Sequence, residues 1–129
     1  MDLSDKEQCL ANELAKLTDE IGQCEYLLML GSQTIPDSAL RKDEFLIPGC
    51  KTSIWLRMEK TDGVVWFSAE SDSVIVQGVL NLMCCLYNGR TAQEIRRHPP
   101  GFLTQLSDLV VYPEIKTNGI QKFYQKLGE

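Results

Sequence analysis

The chain has 129 residues, of which 43% are hydrophobic and 24% charged, a composition and length suited to one folded domain, here residues 1–129. The formal net charge is −5 and the longest basic run is the Arg96-Arg97 pair, which argues against nucleic acid as a partner. The start lacks the pattern of a signal peptide, and no apolar stretch reaches the roughly 18 residues of a membrane span, so we expect a cytoplasmic protein with no membrane partner.

The first third of the chain predicts two helices and a turn. Ser4 and Glu7 have the spacing of a capping box that would begin the first helix. The apolar residues that follow at three- and four-residue steps are Leu10, Leu14, Leu17 and Ile21. A break near Thr18-Asp19 leads into a second helix, which Gly31 is expected to end as a left-handed C-cap. Residues 35–38 then predict a turn that opens a short helical stretch.

The middle of the chain predicts a three-stranded antiparallel meander. Residues 53–59 alternate between apolar and polar side chains, which is the two-residue period of a strand. Asp62-Gly63 is a strong hairpin signal, and residues 64–69 form the returning strand. Residues 45–47 are expected to pair as a third strand at the edge of the sheet.

A long helix follows the meander and is expected to form the core. Ser71 or Asp72 is placed to cap its start, and Asn88-Gly89 to end it. Its apolar positions wrap widely around the cylinder, at Val76, Val79, Leu80, Met83, Leu86 and Tyr87.

The last third of the chain predicts shorter helices. Thr91 and Glu94 have the spacing of a second capping box. After an interruption at residues 99–101, helical segments are expected near residues 102–109 and 118–127. Helices, a meander and further helices together predict an α+β fold in which helices cover one face of an antiparallel sheet.

Cysteine usage points to chemistry at one position. The number of cysteines is five, and their spacing does not suit a disulfide framework, so we expect free thiols in a reducing compartment. Cys50 follows Pro48-Gly49, a pair that favours a tight turn. Gly49 leaves the sulfur without a neighbouring side chain, and the positive charge of Lys51 favours the nucleophilic thiolate. The alternative is that Cys50 is a small apolar residue packed beneath the sheet.

The other cysteines and the single histidine have more ordinary interpretations. Cys84-Cys85 lie on the predicted core helix and are expected to pack in the core, whereas Cys24 and Cys9 are expected to be packing or surface residues. His98 lies in a loop and is interpreted as solvated surface. The spacing does not match a zinc site, and a Cys50–His98 nucleophile pair stays open as a weaker alternative.

Three segments resemble the SufE and CsdE family of sulfur acceptors. Residues 47–55 read I-P-G-C-K-T-S-I-W, similar to the family's V-P-G-C-Q-S-x-V-W. Residues 70–80 read E-S-D-S-V-I-V-Q-G-V-L, similar to D-S-D-A-x-I-V-x-G-L-L, and residues 117–120 read T-N-G-I, similar to S-N-G-L. These similarities keep a consistent order from about Asp19 to Leu127, so the resemblance covers most of the chain.

The resemblance implies a function in sulfur transfer. Cys50 corresponds to the acceptor cysteine, with Pro48 and Gly49 shaping its loop and Ser71-Asp72 capping the nearby helix. The implied partner is a cysteine desulfurase of the SufS or CsdA type, which uses pyridoxal phosphate, and the sulfur then passes to an iron–sulfur cluster scaffold protein. The acceptor itself is expected to need no cofactor and no metal.

Departures from the family pattern keep two further functions open. Lys51 replaces the usual glutamine, and Lys116 replaces an arginine beside Asn118 and Gly119, where partner contacts are expected. Gln77 replaces a lysine at what is expected to be the exposed start of the core helix. The alternatives are a regulatory protein that binds a desulfurase without accepting sulfur, and a cluster scaffold, which would need several converging thiolates.

Overall fold

The computed structural model describes residues 2–129, and within this range five helices pack with a three-stranded antiparallel sheet. The helices are α1 (Leu3–Ala15), α2 (Glu20–Ser32), α3 (Val74–Tyr87), α4 (Ala92–Arg97) and α5 (Gln121–Leu127). The strands are β1 (Ile54–Thr61), β2 (Val64–Ser71) and β3 (Arg90–Thr91), in the sheet order β1-β2-β3. This architecture confirms the predicted α+β fold.

The two N-terminal helices begin at aspartate caps. Asp2 has an extended backbone and accepts a hydrogen bond from the Asp5 amide at 2.9 Å, so it is the N-cap of α1. The prediction that a Ser4–Glu7 capping box begins this helix is therefore wrong. Glu7 instead accepts from the Gly101 amide at 3.0 Å, which ties α1 to a later segment. Asp19 caps α2 by accepting from the Gly22 amide at 2.7 Å, which confirms the predicted break between the helices.

Helices α2 and α3 cross at very short range because each contributes a glycine. A Cβ atom built on Gly31 would lie 2.0 Å from the Val74 carbonyl oxygen, and one built on Gly78 would lie 2.3 Å from the Leu27 carbonyl oxygen. Gly31 therefore lies inside α2 as a packing position, and the prediction that it ends the helix as a left-handed C-cap is wrong.

The β1–β2 hairpin forms as predicted. Asp62 and Gly63 connect the strands with φ of 54° and 80°, the two positive values of a type I′ turn. The predicted third strand is wrong, because β3 pairs with β2 and residues 45–47 contribute only an isolated bridge between Leu46 and Trp55. Phe45 ends a 3-10 turn, and Pro48 has no amide hydrogen to donate, so this segment is too short to extend a ladder.

Helix α3 runs through the core as predicted, although its cap differs. Ser73 accepts from the Val76 amide at 3.3 Å and is the N-cap, so the assignment of this cap to Ser71 or Asp72 is wrong. The Ser71 hydroxyl oxygen instead accepts from the Ser73 amide at 3.2 Å, which shapes the turn before the helix. At the other end Asn88 bonds both backbone groups of Phe67, at 2.8 and 3.0 Å. The helix is thereby anchored to β2.

The C-terminal third is less regular than the sequence predicts. The Thr91–Glu94 capping box of α4 is confirmed. The segment predicted as a helix near residues 102–109 is a 3-10 turn at Gly101–Gln105, and the last helix is preceded by a π-helical turn at Ile115–Ile120. Gly119 is buried, and this π-helical turn lies against the start of β1. No helix between residues 2 and 129 is long and apolar enough to cross a membrane.

Candidate functional site around Cys50

Cys50 follows a tight turn in the loop between Leu46, which bridges to Trp55, and the start of β1. The loop is closed where the Ile47 amide donates to the Ile54 carbonyl oxygen at 2.9 Å. Pro48 and Gly49 occupy the turn, and Gly49 has a φ of +81°, as the third residue of a type II turn requires. The predicted turn is therefore confirmed, and it places the thiol at the tip of a short loop.

A lysine from helix α5 fastens this loop. The Lys122 ammonium group donates to the Pro48 carbonyl oxygen at 3.3 Å. A Cβ atom on Gly49 would lie 2.7 Å from the Lys122 nitrogen, so a larger residue at this position would displace the ammonium group from the loop. Sequence reasoning missed Lys122, because the two groups are 74 residues apart and no local pattern marks their contact.

The thiol of Cys50 is half-buried and borders a small cavity of about 20 Å³. This volume has room for about one water-sized group. The residues that line the cavity include Cys50, Thr52, Ile54, Ile115, Asn118 and Gly119. A Cβ atom on Gly119 would lie 3.8 Å from the Cys50 sulfur, so the missing side chain keeps this space open.

Two lysines that the sequence singled out, Lys51 and Lys116, form contacts with other residues of the same chain. The Lys51 nitrogen lies 3.2 Å from a Glu114 carboxylate oxygen, an exposed ion pair at the mouth of the cavity. Lys116 was expected to contact a partner, but its nitrogen donates to the Leu106 carbonyl and to Asp108, the latter at 3.0 Å. Only 15% of the Lys116 side chain is exposed, and in the free chain its contacts brace the segment before the π-helical turn.

The residues of the second sequence motif stabilise the junction between β2 and α3. The buried Ser71 amide donates to the Gln77 side-chain oxygen at 2.8 Å, and the Gln77 nitrogen donates to the Ala69 carbonyl at 3.1 Å. The expectation that Gln77 is exposed is wrong, since 4% of it is accessible. A polar amide is retained at this buried position because both its ends are hydrogen-bonded. Asp72 is exposed beside this junction.

A cluster around Glu70 and Arg41, which sequence reasoning missed, holds the segment that leads to the Cys50 loop. Glu70 is 3% exposed and accepts from the Arg41 guanidinium at 2.8 Å and from the Asp37 amide at 2.9 Å. The guanidinium carbon lies 4.9 Å from the ring centroid of Trp55, within cation–π range. The only sequence signal for this cluster was one charged residue, Glu70, in a strand with no other charged side chain.

The remaining cysteines lie on helices and not in the Cys50 cavity. Burial raises the pKa of the Cys84 thiol to about 12, so this thiol is chemically quiet near neutral pH. Its neighbour Cys85 is exposed, and its predicted core position is wrong, because successive helical residues point about 100° apart. Cys9 is exposed and Cys24 is half-buried, in agreement with their expected surface or packing roles.

His98 lies at the end of α4 and packs toward the N-terminus of the chain. Its carbonyl accepts from the Tyr87 hydroxyl at 2.6 Å, and its ring Nδ1 lies 3.5 Å from the Ser4 hydroxyl oxygen. It does not line the Cys50 cavity, so the structure does not bring these two residues together as a nucleophile pair. Within residues 2–129 no three His, Cys, Asp or Glu side chains converge as metal ligands.

The fold and the site define an α+β protein that presents one cysteine on a fastened turn. The chain matches the family model described as SufE, an Fe-S metabolism associated domain, over residues 8–129, and therefore belongs to that family. A role in iron–sulfur metabolism follows from this membership. The fold is similar to the solution structure of a hypothetical protein from Thermus thermophilus, with a TM-score of 0.65 and 16% identity. That likeness covers 95% of this chain and 90% of the other, and it supports the fold alone.

Proposed function

We propose that Cys50 accepts sulfur from the persulfide of a cysteine desulfurase and passes it on to iron–sulfur cluster assembly. The observation that carries this proposal is the cavity of about 20 Å³ beside a turn-borne thiol, which has room for one added atom. Free cysteines suit a reducing compartment such as the cytoplasm, where we place the reaction.

The chemistry is a pair of thiol exchanges. The Cys50 thiolate attacks the outer sulfur of the desulfurase persulfide, a new S–S bond forms, and the bond to the desulfurase cysteine breaks as that cysteine leaves as a thiolate. In the second exchange a thiolate of a scaffold protein attacks the outer sulfur, and Cys50 leaves as a thiolate. Electrons balance in each exchange, so neither step requires an oxidant or a reductant.

The surroundings of Cys50 suit the storage of a reactive group. The apolar side chains of Ile54 and Ile115 and the small Gly119 leave space in which an outer sulfur is shielded from solvent thiols. Exposure to a partner then requires the Cys50 loop to turn outward, away from Lys122. Hydrogen exchange of residues 48–53 should become faster when the desulfurase binds, and unchanged exchange would contradict this movement.

The proposal needs no cofactor or metal bound to this chain. Pyridoxal phosphate belongs to the desulfurase, and the onward partner is an iron–sulfur scaffold protein. A scaffold role for this chain itself is disfavoured by the positions of its thiols, which lie on α1, α2, α3 and the Cys50 loop instead of facing one point.

Intact-mass spectrometry after incubation with a cysteine desulfurase and free cysteine tests the proposal. We expect the wild type to gain about one sulfur atom that a reductant removes, and Cys50→Ser to gain none. Cys85→Ser is the matched control, because Cys85 is also accessible but lies outside the site, and it should load normally. Loading of Cys50→Ser would overturn the assignment. If Cys50→Ser stimulated the desulfurase as strongly as the wild type, the chain would be a regulatory partner instead of an acceptor.

A further inference from the structure

A larger groove of about 470 Å³ lies directly beside the Cys50 cavity. Thr52 and Ile115 line both spaces, so the groove and the cavity are neighbours that share these two residues. The groove lies between the start of α2, the start of α3 and the segment that connects the 3-10 turn to the π-helical turn. A protein that approaches Cys50 from this side must pass over the groove.

The walls of the groove expose apolar side chains that the fold leaves uncovered. Ile21 is 71% exposed, Leu109 is 74% exposed and Tyr112 is 60% exposed, and all three line the groove. Single exposed apolar residues are common on protein surfaces, but several around one concave space are typical of a binding site. Cys24 also lines the groove, and its thiol is half-buried there.

The rim of the groove is negatively charged. Glu20 lines it, and the exposed carboxylates of Asp19 and Asp72 lie next in sequence to lining residues. Within the described part of the chain, these three carboxylates form no ion pair at 4.0 Å or less. The net charge of the whole chain is also negative, at −5. An apolar segment flanked by positive charges is therefore the ligand that this surface fits.

We propose that the sulfur-donating protein docks by inserting an apolar segment, flanked by lysine or arginine, into this groove. The inference rests on the proposed function and adds the surface by which the donor is recognised. Apolar contact supplies affinity at the centre, while the acidic rim orients the basic flanks and speeds the encounter. Because Thr52 and Ile115 line both spaces, a segment seated in the groove lies next to the Cys50 turn and brings the donor's persulfide close to it.

Alkylation of native cysteines reports whether the groove is filled. The probe is iodoacetamide, applied to the wild-type chain with and without the cysteine desulfurase of the source organism, in the absence of free cysteine so that no sulfur moves. Peptide mass spectrometry follows each thiol separately. We expect the desulfurase to slow labelling of Cys24 and Cys50 at least tenfold, and to leave Cys9 and Cys85, which are exposed outside the groove, unchanged.

Surface substitutions give a second measurement that does not depend on thiol reactivity. Ile21→Ser combined with Leu109→Ser should weaken desulfurase binding at least tenfold by titration calorimetry, because both side chains are exposed in the free protein and covered in the complex. Met29→Ser is the matched control, since Met29 is 50% exposed on the same helix α2 but does not line the groove.

The outcomes separate this inference from the function on which it rests. Protection of Cys50 without protection of Cys24, together with normal binding of the groove variant, would overturn the docking surface while the acceptor role stands. If the wild type neither bound the desulfurase nor gained sulfur from it, the acceptor role and the docking surface would both be wrong. Protection of both thiols, with weak binding of the groove variant alone, supports the inference.

Discussion

At the scale of single residues, two glycines determine the space around the Cys50 sulfur. Gly49 supplies the positive φ of the turn and leaves room for the Lys122 ammonium group. Gly119 leaves the cavity open on the opposite side, where an added Cβ would approach both Ile54 and the thiol. At both positions the lack of a side chain leaves space that the site uses, so a substitution by alanine, which adds one methyl group, tests each of them.

Gly49→Ala should destabilise the loop in two ways. A positive φ costs an alanine about 1 kcal/mol, and its Cβ would lie 2.7 Å from the Lys122 nitrogen. Gly63→Ala is the control, because Gly63 has a φ of +80° with nothing within 4 Å of an added Cβ. Urea denaturation should show a loss of about 1 kcal/mol for Gly63→Ala and a larger loss for Gly49→Ala, because only the latter also displaces the Lys122 ammonium group. Only Gly49→Ala should also slow the gain of sulfur, and equal sulfur gain in both would contradict the role of the turn.

Gly119→Ala should shorten the life of the sulfur carried on Cys50. The added methyl group would lie 3.1 Å from Ile54 Cδ1 and 3.8 Å from the Cys50 sulfur, which fills the space proposed for the outer sulfur atom. The persulfide would then face solvent. The measurement is the rate at which a mild reductant removes the extra sulfur, followed by intact mass, and we expect it to rise several-fold over the wild type.

The buried thiol of Cys84 should react last among the five cysteines. Its pKa of about 12 leaves roughly one thiolate in ten thousand molecules at pH 8, whereas Cys85 beside it is exposed. Since the folded-state pKa of Cys84 is raised above its value of 9.0 in the unfolded chain, its contribution to stability is complete below pH 9 and declines as the pH rises toward 12. Alkylation at pH 8, with and without urea, tests the first point, and rapid labelling of native Cys84 would contradict it.

At the scale of elements, local sequence signals identified several features that depend on neighbouring residues, although they misplaced the caps of α1 and α3. The type I′ turn at Asp62-Gly63 and the capping box of α4 are set by neighbours in sequence, and both were predicted correctly. Gly31 was misjudged because its role depends on Val74, which is distant in the chain. The edge strand at residues 45–47 failed for the same reason, since a short segment pairs only where the surrounding chain allows it.

Gly78→Ala tests the close crossing of α2 and α3. In an exposed helix this change stabilises a protein by about 0.5–1 kcal/mol, because alanine is the better helix former. Here the added Cβ would lie 2.3 Å from the Leu27 carbonyl oxygen, so the helices must move apart at a cost of about 1–3 kcal/mol. We therefore expect Gly78→Ala to lower the free energy of unfolding measured by urea denaturation. A variant more stable than the wild type would contradict the close crossing.

The candidate site shows the same division between local and distant signals. The turn at Pro48-Gly49 and the thiol of Cys50 that follows it were predicted from a nine-residue segment, because these residues are adjacent in the sequence. Lys122 and Arg41, which fasten and brace the loop, could not be found this way. Their partners lie on elements that only the folded chain brings together, and lysine and arginine are common on surfaces that bind nothing.

At the scale of the whole molecule, the packing predicts one cooperative unit. Buried side chains from every helix and from β1 and β2 join a single cluster, which includes Leu14, Leu27, Val65, Met83, Ile95 and Phe123. Both tryptophans, Trp55 and Trp66, lie in strands and report on the sheet, whereas far-ultraviolet circular dichroism reports mainly on the helices. The two signals should change at the same urea concentration. Separate transitions would show that the sheet and the helices unfold independently.

The contact between Lys122 and Pro48 has a consequence for the timing of sulfur delivery. A single hydrogen bond of this kind contributes about 1 kcal/mol, so its rupture leaves the rest of the molecule intact. Loop motions of this size take nanoseconds to microseconds, whereas proteins at about 1 µM meet roughly 0.1 to 10 times per second. The loop therefore opens and closes many times between encounters, so its opening is not the slow step of delivery.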